Sequence, residues 1–542
     1  MNKLYKFACL MLTGVALLAT TSCSDPKDEV TTLTIDRLLR PSELELKIYD
    51  KTNIKATMEF VSLPDFIDVV LEVNDNPLSE DKNYKEMKRY TLNPKESTKD
   101  RDHVTVSTNI TDLSYFKDYR VSFIARNGDG KTSTASTAVA TTDGIFKAND
   151  DDDRTNTSIT VKWPSDVTVN KVRTMRYNEA GDEELVGEDT LDDTAKTSGK
   201  FTKTGLNADT EYVFYIFNDD NCQGRTEFET FPNYEEFKAQ DGFDLQAAID
   251  NVQAGYAIML SPDGDNTEFN LASSTVNITK TVRIMGRDTK PVTVNKVSFN
   301  LDGSTGLSLE NLKFADSEKK LALLKFTNPA SGDYKLSGVE VTGYKNFAQD
   351  PGENATDLNL LEVKNCFMHD GISGRWMDFQ KKKCYIKEIV IEQNTFAQIA
   401  NAQDFLRYDY YEGHMPTVTI ENNSFYKVNA SSKGITYIRS NAAGDKAFTC
   451  NINKNVFESC KDASGVYFSE DAKTDGLSFS KNYYKDSDNL QVPYSPTMTA
   501  FDSNGSTFTG KSAFKDPEAG DFTITNNTVK NAGVGNTDFV KK

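Results

Sequence analysis

From about residue 240 to residue 486 the chain rewrites one short pattern of apolar and polar positions. The units include LSLENLKF (Leu307 to Phe314), LLEVKNCF (Leu360 to Phe367), IVIEQNTF (Ile389 to Phe396), VTIENNSF (Val418 to Phe425), CNINKNVF (Cys450 to Phe457) and LSFSKNYY (Leu477 to Tyr484). Each begins with alternation of period two, the signature of a strand with one face buried. Each then carries Asn and, shortly after, an aromatic residue. The recurrent positions are Asn311, Asn365, Asn394, Asn423, Asn455 and Asn482, with Gly343 of LSGVEVTGY in the equivalent place, at spacings of 22 to 32 residues. Asn and Gly are the residues that tolerate a left-handed backbone, so one left-handed turn per unit is expected at these positions. A short strand, a tight turn and an inward aromatic, repeated with loops of variable length, predict a right-handed parallel β-helix. Its coils share one core because none can bury its apolar side alone. Asn side chains stacked on that turn would satisfy buried backbone groups of neighbouring coils. A leucine-rich repeat would have a regular, Leu-dominated unit, which this is not. The repeat opens with DLQAAIDNVQAGYAIML (Asp244 to Leu260). Leu245, Ala248, Ile249 and Val252 follow helical spacing, Asp244 can cap the helix, and the helix is expected to cover the open end of the core.

The first half alternates differently. LSYFKDYRVSFIARNGDGK begins at Leu113 and LNADTEYVFYIFNDDNCQG at Leu206. In both, a Leu is followed six residues later by Tyr, then by period-two alternation and a Gly turn. Upstream of the second copy, SITVKW puts Ile159, Val161 and Trp163 on one face. Leu-x5-Tyr resembles the tyrosine corner of fibronectin type III sandwiches, where the phenol bonds back to the chain just before its strand. Residues 31–143 and 144–235 thus resemble two tandem fibronectin type III-like domains, with 236–542 as the β-helix. The first is less regular, with a long polar loop from Asn74 to Asp102. The acidic run NDDDDR (Asn149 to Arg154) has calcium-type ligands, but calcium needs six or more oxygens in a fixed arrangement, and a solvated charge run is the preferred reading. The fold class is therefore all-β throughout.

Composition narrows the partners. The chain has 542 residues and a formal net charge of −19, which argues against nucleic acid or an anionic membrane surface as the main ligand. Lys3 and Lys6 precede an apolar run from Phe7 to Ala19, the layout of a signal segment rather than a membrane span. The run leads to LLATTSC and Cys23. This resembles the lipobox of bacterial lipoproteins in the relaxed form of Bacteroidetes, although Thr20 stands where Leu is usual; SDPKDE (Ser24 to Glu29) is similar to their surface-export signal. The resemblance implies lipidation of Cys23 and an outer-membrane, outward-facing anchor that does not span the bilayer. Cys222, Cys366, Cys384, Cys450 and Cys460 are odd in number and lack a CxxC pair, so buried free thiols are expected rather than a disulfide framework or a zinc site.

The entry DLQAAID…AIMLSP resembles that of pectin-lyase-like β-helix proteins. With the signal segment and the sandwiches, the whole chain resembles multidomain surface lipoproteins of Bacteroidetes that accompany pectin and other glycan-use systems. This implies a polysaccharide ligand, an acidic plant glycan before others, and partner proteins of a glycan uptake complex. Past each Asn the coils read GRWMDF, FLRYDYY, TYIRSN and VYFSED. Arg375, Trp376, Arg407, Tyr408, Tyr437 and Arg439, followed by Tyr467 and Phe468, would form a ladder of cations and rings suited to uronates, if alternation does not send them into the core. A lyase would need calcium held by carboxylates, for which Asp378, Asp404 and Asp409 are candidates, and a base, for which Arg407 is one. His369 and Asp370 form a candidate dyad, although a turn histidine is more often structural. The reading is a binding protein rather than an enzyme, with no cofactor unless calcium. A calcium-assisted polysaccharide lyase and a structural or adhesive β-helix are the alternatives.

Overall fold

The computed structural model describes residues 38–94, 98–100, 103–327, 329–350, 356–371, 374–379, 384–399, 405–409, 416–428, 436–439, 449–460, 477–487, 490, 502 and 504–539. Cys23, Asp404, Tyr467 and Phe468 lie outside them. Two compact units divide between Phe231 and Pro232.

The first unit holds two antiparallel sandwiches. In the first, Glu43–Asp50, Asn53–Phe60, His103–Ile110 and Thr98–Asp100 form one sheet, and Lys85–Leu92, Phe66–Asn74, Asp118–Arg126 and Ser136–Thr141 the other. Alternate residues such as Ile54, Met58, Val69, Leu71, Val121 and Phe123 fill the core between them. The stretch read as a long polar loop contains the strand Lys85–Leu92. That strand is an edge whose side chains are mostly exposed, so it carries almost no apolar signal. In the second sandwich, Ile159, Val161 and Trp163 do share a buried face.

Both tyrosine corners are formed. The Tyr119 hydroxyl accepts from the Ser114 amide at 2.8 Å, and the Tyr212 hydroxyl from the Asn207 amide at 2.8 Å. Both rings are buried. Tyr212→Phe keeps the ring and removes one hydrogen bond, and should cost about 1 kcal/mol. A lowered urea midpoint of the sandwich unit, with an unchanged slope, would register it. In the acidic run, Lys162 pairs with Asp150 at 3.1 Å and Asp153 at 2.6 Å. Asp153 also accepts from the Asp150 amide. The Asp153 hydrogen bond holds the Lys162 ammonium above its usual range. These carboxylates are occupied by the chain itself.

The second unit is a parallel β-solenoid. Its described strands form three parallel sheets, numbered here one to three in the order each coil visits them, with 10, 11 and seven strands. Tyr234–Lys238 already pairs in parallel with Ala257–Ser261, so the solenoid starts before residue 236. The helix Leu245–Asn251, capped by Asp244, does not precede the first coil but takes the place of its third-sheet strand, turning Leu245, Ala248 and Ile249 into the core. At the other end, Ser506–Thr507 still adds the last parallel strand of sheet two, and 508–539 then leaves the coil. Its hairpin of Phe514–Asp516 and Asp521–Ile524 and its helix Asn527–Ala532 fold back onto the outer face of sheet two, burying Phe514, Phe522, Val529 and Val534 against Ala397, Tyr426 and Val456.

The register keeps the left-handed turn at Asn311 and Asn365, as expected, and moves it by one residue in the four later coils. Phe314, Val341, Met368, Phe396, Phe425, Phe457 and Tyr484 occupy one column. The left-handed residues ahead of them are Asn311, Gly338, Asn365, Gln393, Asn422, Lys454 and Lys481; Gly343 is left-handed too, as expected, but at the turn after its strand. Asn394, Asn423, Asn455 and Asn482 stand one place later, with ordinary backbones and fully buried side chains. Side chains such as Lys are tolerated at the turn because its amide continues the inter-coil bonding, as in Gln393 N–H to Glu421 O at 3.1 Å and Lys454 N–H to Ser480 O at 2.8 Å. That hydrogen bond offsets a left-handed strain of roughly 1–2 kcal/mol. Gly338 is required for a second reason: a Cβ there would stand 2.3 Å from Asn311 Oδ1.

The buried asparagines form a ladder along the solenoid. Asn423 Oδ1 accepts from the Asn394 backbone N–H at 2.9 Å, and Asn455 and Asn482 repeat this one coil on. Each Nδ2 donates both to a strand carbonyl of the preceding coil and to the next Asn Oδ1. The ladder ends on Asp502, which accepts from Asn482 and from the Tyr484 hydroxyl. Beside it the rings of Phe396, Phe425, Phe457 and Tyr484 stack at 4.7 to 5.3 Å. Cys366, Cys384, Cys450 and Cys460 are buried free thiols, and Cys222 is a half-buried one.

Candidate functional site

The strip read from the sequence falls on sheet three. Register puts Gln349, Asp378, Arg407 and Tyr437 in one column, and Asp409 beside Arg439. The arginines are therefore staggered rather than stacked. Two of the rings are not at the surface. Trp376 is fully buried between Phe347 at 4.8 Å and Phe405 at 4.7 Å, nearly parallel to both. Tyr408 is fully buried, its hydroxyl donating to Cys384 O at 3.0 Å, and burial raises its phenol pKa. Arg407 and Tyr408 are neighbours on one strand and point to opposite faces, and Trp376, just ahead of the strand Met377–Phe379, is in the core while Arg375 is only half-buried, so neither pair serves one surface. Arg375 pairs with Asp378 at 3.5 Å. Arg407 makes two hydrogen bonds of 3.1 Å to the buried Asp409. This is the geometry of a structural ion pair, not of a base aimed at substrate. Among the described residues, no three His, Cys, Asp or Glu side chains come together as a metal-holding group.

A different surface has the shape of a site. Sheet two and the returning segment enclose an open cleft of about 1000 Å³. Its floor carries Lys313, Glu340 and Phe367 from three successive coils, and His369 from the same strand as Phe367. Asp288, Asp370, Gln398, Glu518 and Asp538 edge it, and Phe539 stands opposite the floor. Phe367 stacks on His369 at 4.2 Å and meets Phe539 at 5.4 Å, with the buried Phe522 behind both. The far wall is fixed by Asn536, whose backbone N–H donates to Ser424 Oγ and whose Nδ2 donates to Thr395 Oγ1, and by Gly535 N–H to Lys454 O.

The His369–Asp370 dyad is formed at 2.6 Å, but the other ring nitrogen lies 3.0 Å from Glu340. With both nitrogens engaged, the imidazole is a charged anchor rather than a general base. Burial pulls its pKa down, and the hydrogen bonds to Glu340 and Asp370 outweigh that, raising it overall. Burial likewise lifts Glu340, but His369 and Lys313 hold it below its usual value. The signs follow. His369 contributes stability fully below its ordinary pKa, and this is lost as pH rises through the raised value. Glu340 contributes above its ordinary pKa, and this is lost as pH falls through the lowered one. His369→Gln should therefore lower the solenoid's melting temperature most below pH ~6.5, with the deficit shrinking as pH rises through the raised value. Calorimetric scans across that range would check it.

The sequence pointed to the dyad but not to the wall opposite it. The available signal was Phe508 to Phe539, a segment rich in Phe and Val that lacks the Asn-aromatic unit and so had to bury its apolar side elsewhere.

Comparison with known proteins adds the following. A family model described as a domain of unknown function, DUF5123, matches residues 418–537, the later coils and most of the returning segment. The chain is 15% identical to chicken CNTN1 FN1–FN3 domains over 36% of its own length and 67% of that chain, with a TM-score of 0.15. It is 16% identical to the central fibronectin-III array of RIM-binding protein over 37% of its length and 63% of that chain, with a TM-score of 0.12. No curated protein matches it. By architecture the chain consists of two fibronectin type III-like sandwiches followed by a parallel β-solenoid.

Proposed function

We propose that this protein binds polysaccharide and that the ligand lies in the sheet-two cleft rather than along sheet three. The observation carrying this reading is the pairing of half-buried Phe367 and Phe539 with a rim of carboxylate and amide groups in an open, elongated depression. Aromatic faces pack on sugar C–H surfaces, and carboxylate and amide oxygens accept from hydroxyls. An engaged histidine and an ion-paired Arg407 favour binding over catalysis. The signal segment and Cys23 extend the proposal to a lipid-anchored protein of the outer membrane, displayed outward by its sandwiches within a glycan uptake system.

Titration calorimetry of Ser24 to Lys542 against acidic and neutral plant glycans, with calcium present, tests it. Saturable binding is expected, weakened at least ~10-fold by Phe539→Ala, a loss of about 1.4 kcal/mol. Arg407→Ala should leave it unchanged; the reverse pattern would return the site to sheet three. Sustained heat from turnover would favour the calcium-assisted lyase, and silence across the panel an adhesive role.

A further inference from the structure

We infer that the cleft receives the end of a glycan chain rather than an internal stretch of it; the inference rests on the binding reading above. Its ground is where the outer face of sheet two is open and where it is covered. The outward residues run in two columns along the solenoid. In the first, Thr293, Lys313, Glu340 and Phe367 are half-buried, and Thr395, Ser424 and Val456, which follow them in register, are fully buried. In the second, Asn295, Ala315, Thr342 and His369 are half-buried, and Ala397, Tyr426 and Glu458 are buried. Both columns close at the same coil, because the returning segment sits on the later ones. It is tied down there. Asn536 bonds to Thr395 and Ser424, and Gln393 donates to Asp538 at 2.9 Å. Gly535, in a left-handed backbone, lies so close to Val456 that a Cβ would stand 2.9 Å from its Cγ2. Phe522 and Phe539 therefore belong to a fixed wall across the open strip. The lining reaches from Asp288 and Thr289, ahead of the strand Thr293–Asn295, to Ala397 and Gln398. That is four coil steps, ~19 Å along the solenoid, against ~10 Å across strands of three residues. A glycan laid along the longer direction meets the wall and cannot continue in line. A pyranose unit in an extended chain is about as long as one coil spacing, so the cleft takes about four sugars counted from the chain end.

The full chain is titrated with galacturonate, xylose, galactose and glucose oligomers, each from dimer to octamer, and with polygalacturonate, xylan, galactan and mixed-linkage glucan as the matching polymers. In the series that binds, affinity should rise to about the tetramer and stay within ~2-fold from there to the octamer. Light scattering of the complex with the matching polymer should find one protein per chain, whatever the chain length. Thr289→Trp, an exposed substitution at the end away from the wall, should shift the tetramer's affinity at least ~3-fold and leave the dimer's within ~2-fold, because a dimer is held at the wall. Thermal scans confirm that the variant is folded. Affinity still climbing beyond the hexamer, several proteins on one polymer chain, or polymer binding without oligomer binding would mean that internal stretches are taken. Each of these overturns this inference and leaves the binding reading intact. A Thr289→Trp effect equal on dimer and tetramer, zero included, would place the chain end away from the wall and also overturns it. No binding by any oligomer or polymer overturns the binding reading and this inference together.

Discussion

Trp376→Ala is expected to destabilise the solenoid by about 3–5 kcal/mol while leaving the cleft's ligand affinity unchanged below the unfolding transition. The indole is fully buried, sandwiched by Phe347 and Phe405 and edged by Phe396, with Nε1 directed at Met368 Sδ at 2.8 Å. Truncation opens a void bounded by three rings and strands a column of packing that spans several coils. The effect is measurable directly, because the chain has two tryptophans, Trp163 in the sandwich unit and Trp376 in the solenoid. Trp163 fluorescence in the variant isolates the first unit's transition, and far-UV circular dichroism follows the second. Trp376→Phe, which keeps an aromatic plate, should recover most of the loss. Reduced glycan affinity with an unchanged melting temperature would contradict the core placement and restore the surface strip.

Asn423→Ala should be nearly as damaging although it removes only a small polar side chain. Asn423 donates to Ile391 O, Glu421 O and Asn455 Oδ1, and accepts from the backbone and side-chain N–H groups of Asn394. With no water in reach, the orphaned groups cost about 1–3 kcal/mol each, and two of them give a loss of roughly 3–5 kcal/mol. Asn423→Leu fills the space without restoring the bonds and should not rescue it, although Leu312 occupies the corresponding slot in an earlier coil. Hydrogen exchange should show the loss spreading to the coils on either side, as expected when stability is held between neighbouring repeats. If the leucine variant were as stable as the parent, volume rather than hydrogen bonding would be the ladder's contribution.

Much of this was legible from the chain. Leu113 and Leu206 with their tyrosines announced the two sandwiches, because a tyrosine corner is a local device in which the bonding partner lies five residues away. Asp244 announced its helix for the same reason. The strand Lys85–Leu92 went unseen because an edge with exposed side chains has no buried face to set its alternation. The turn register slipped because Asn is the residue expected in a left-handed turn, whereas Gln393, Asn422, Lys454 and Lys481 take that place and the Asn after each is the buried one; spacing alone does not separate neighbours.

By itself, the sequence determined the repeat, the parallel solenoid and the sandwiches before it, since each follows from periodicity and contacts close along the chain. It determined that an aromatic and an asparagine recur in every later coil. Only the tertiary structure decided which of those side chains meet solvent. Alternation fixes that neighbours face opposite ways but not which of them faces in, so Trp376 and Tyr408 went to the core while Arg375 and Arg407 turned to their own carboxylates. The cleft depends on still longer range, because its wall returns across more than a hundred residues to sheet two, as in the 112-residue reach from Asn536 to Ser424. Such a contact is set by which apolar face is left uncovered once the coils have stacked, and no local pattern encodes it.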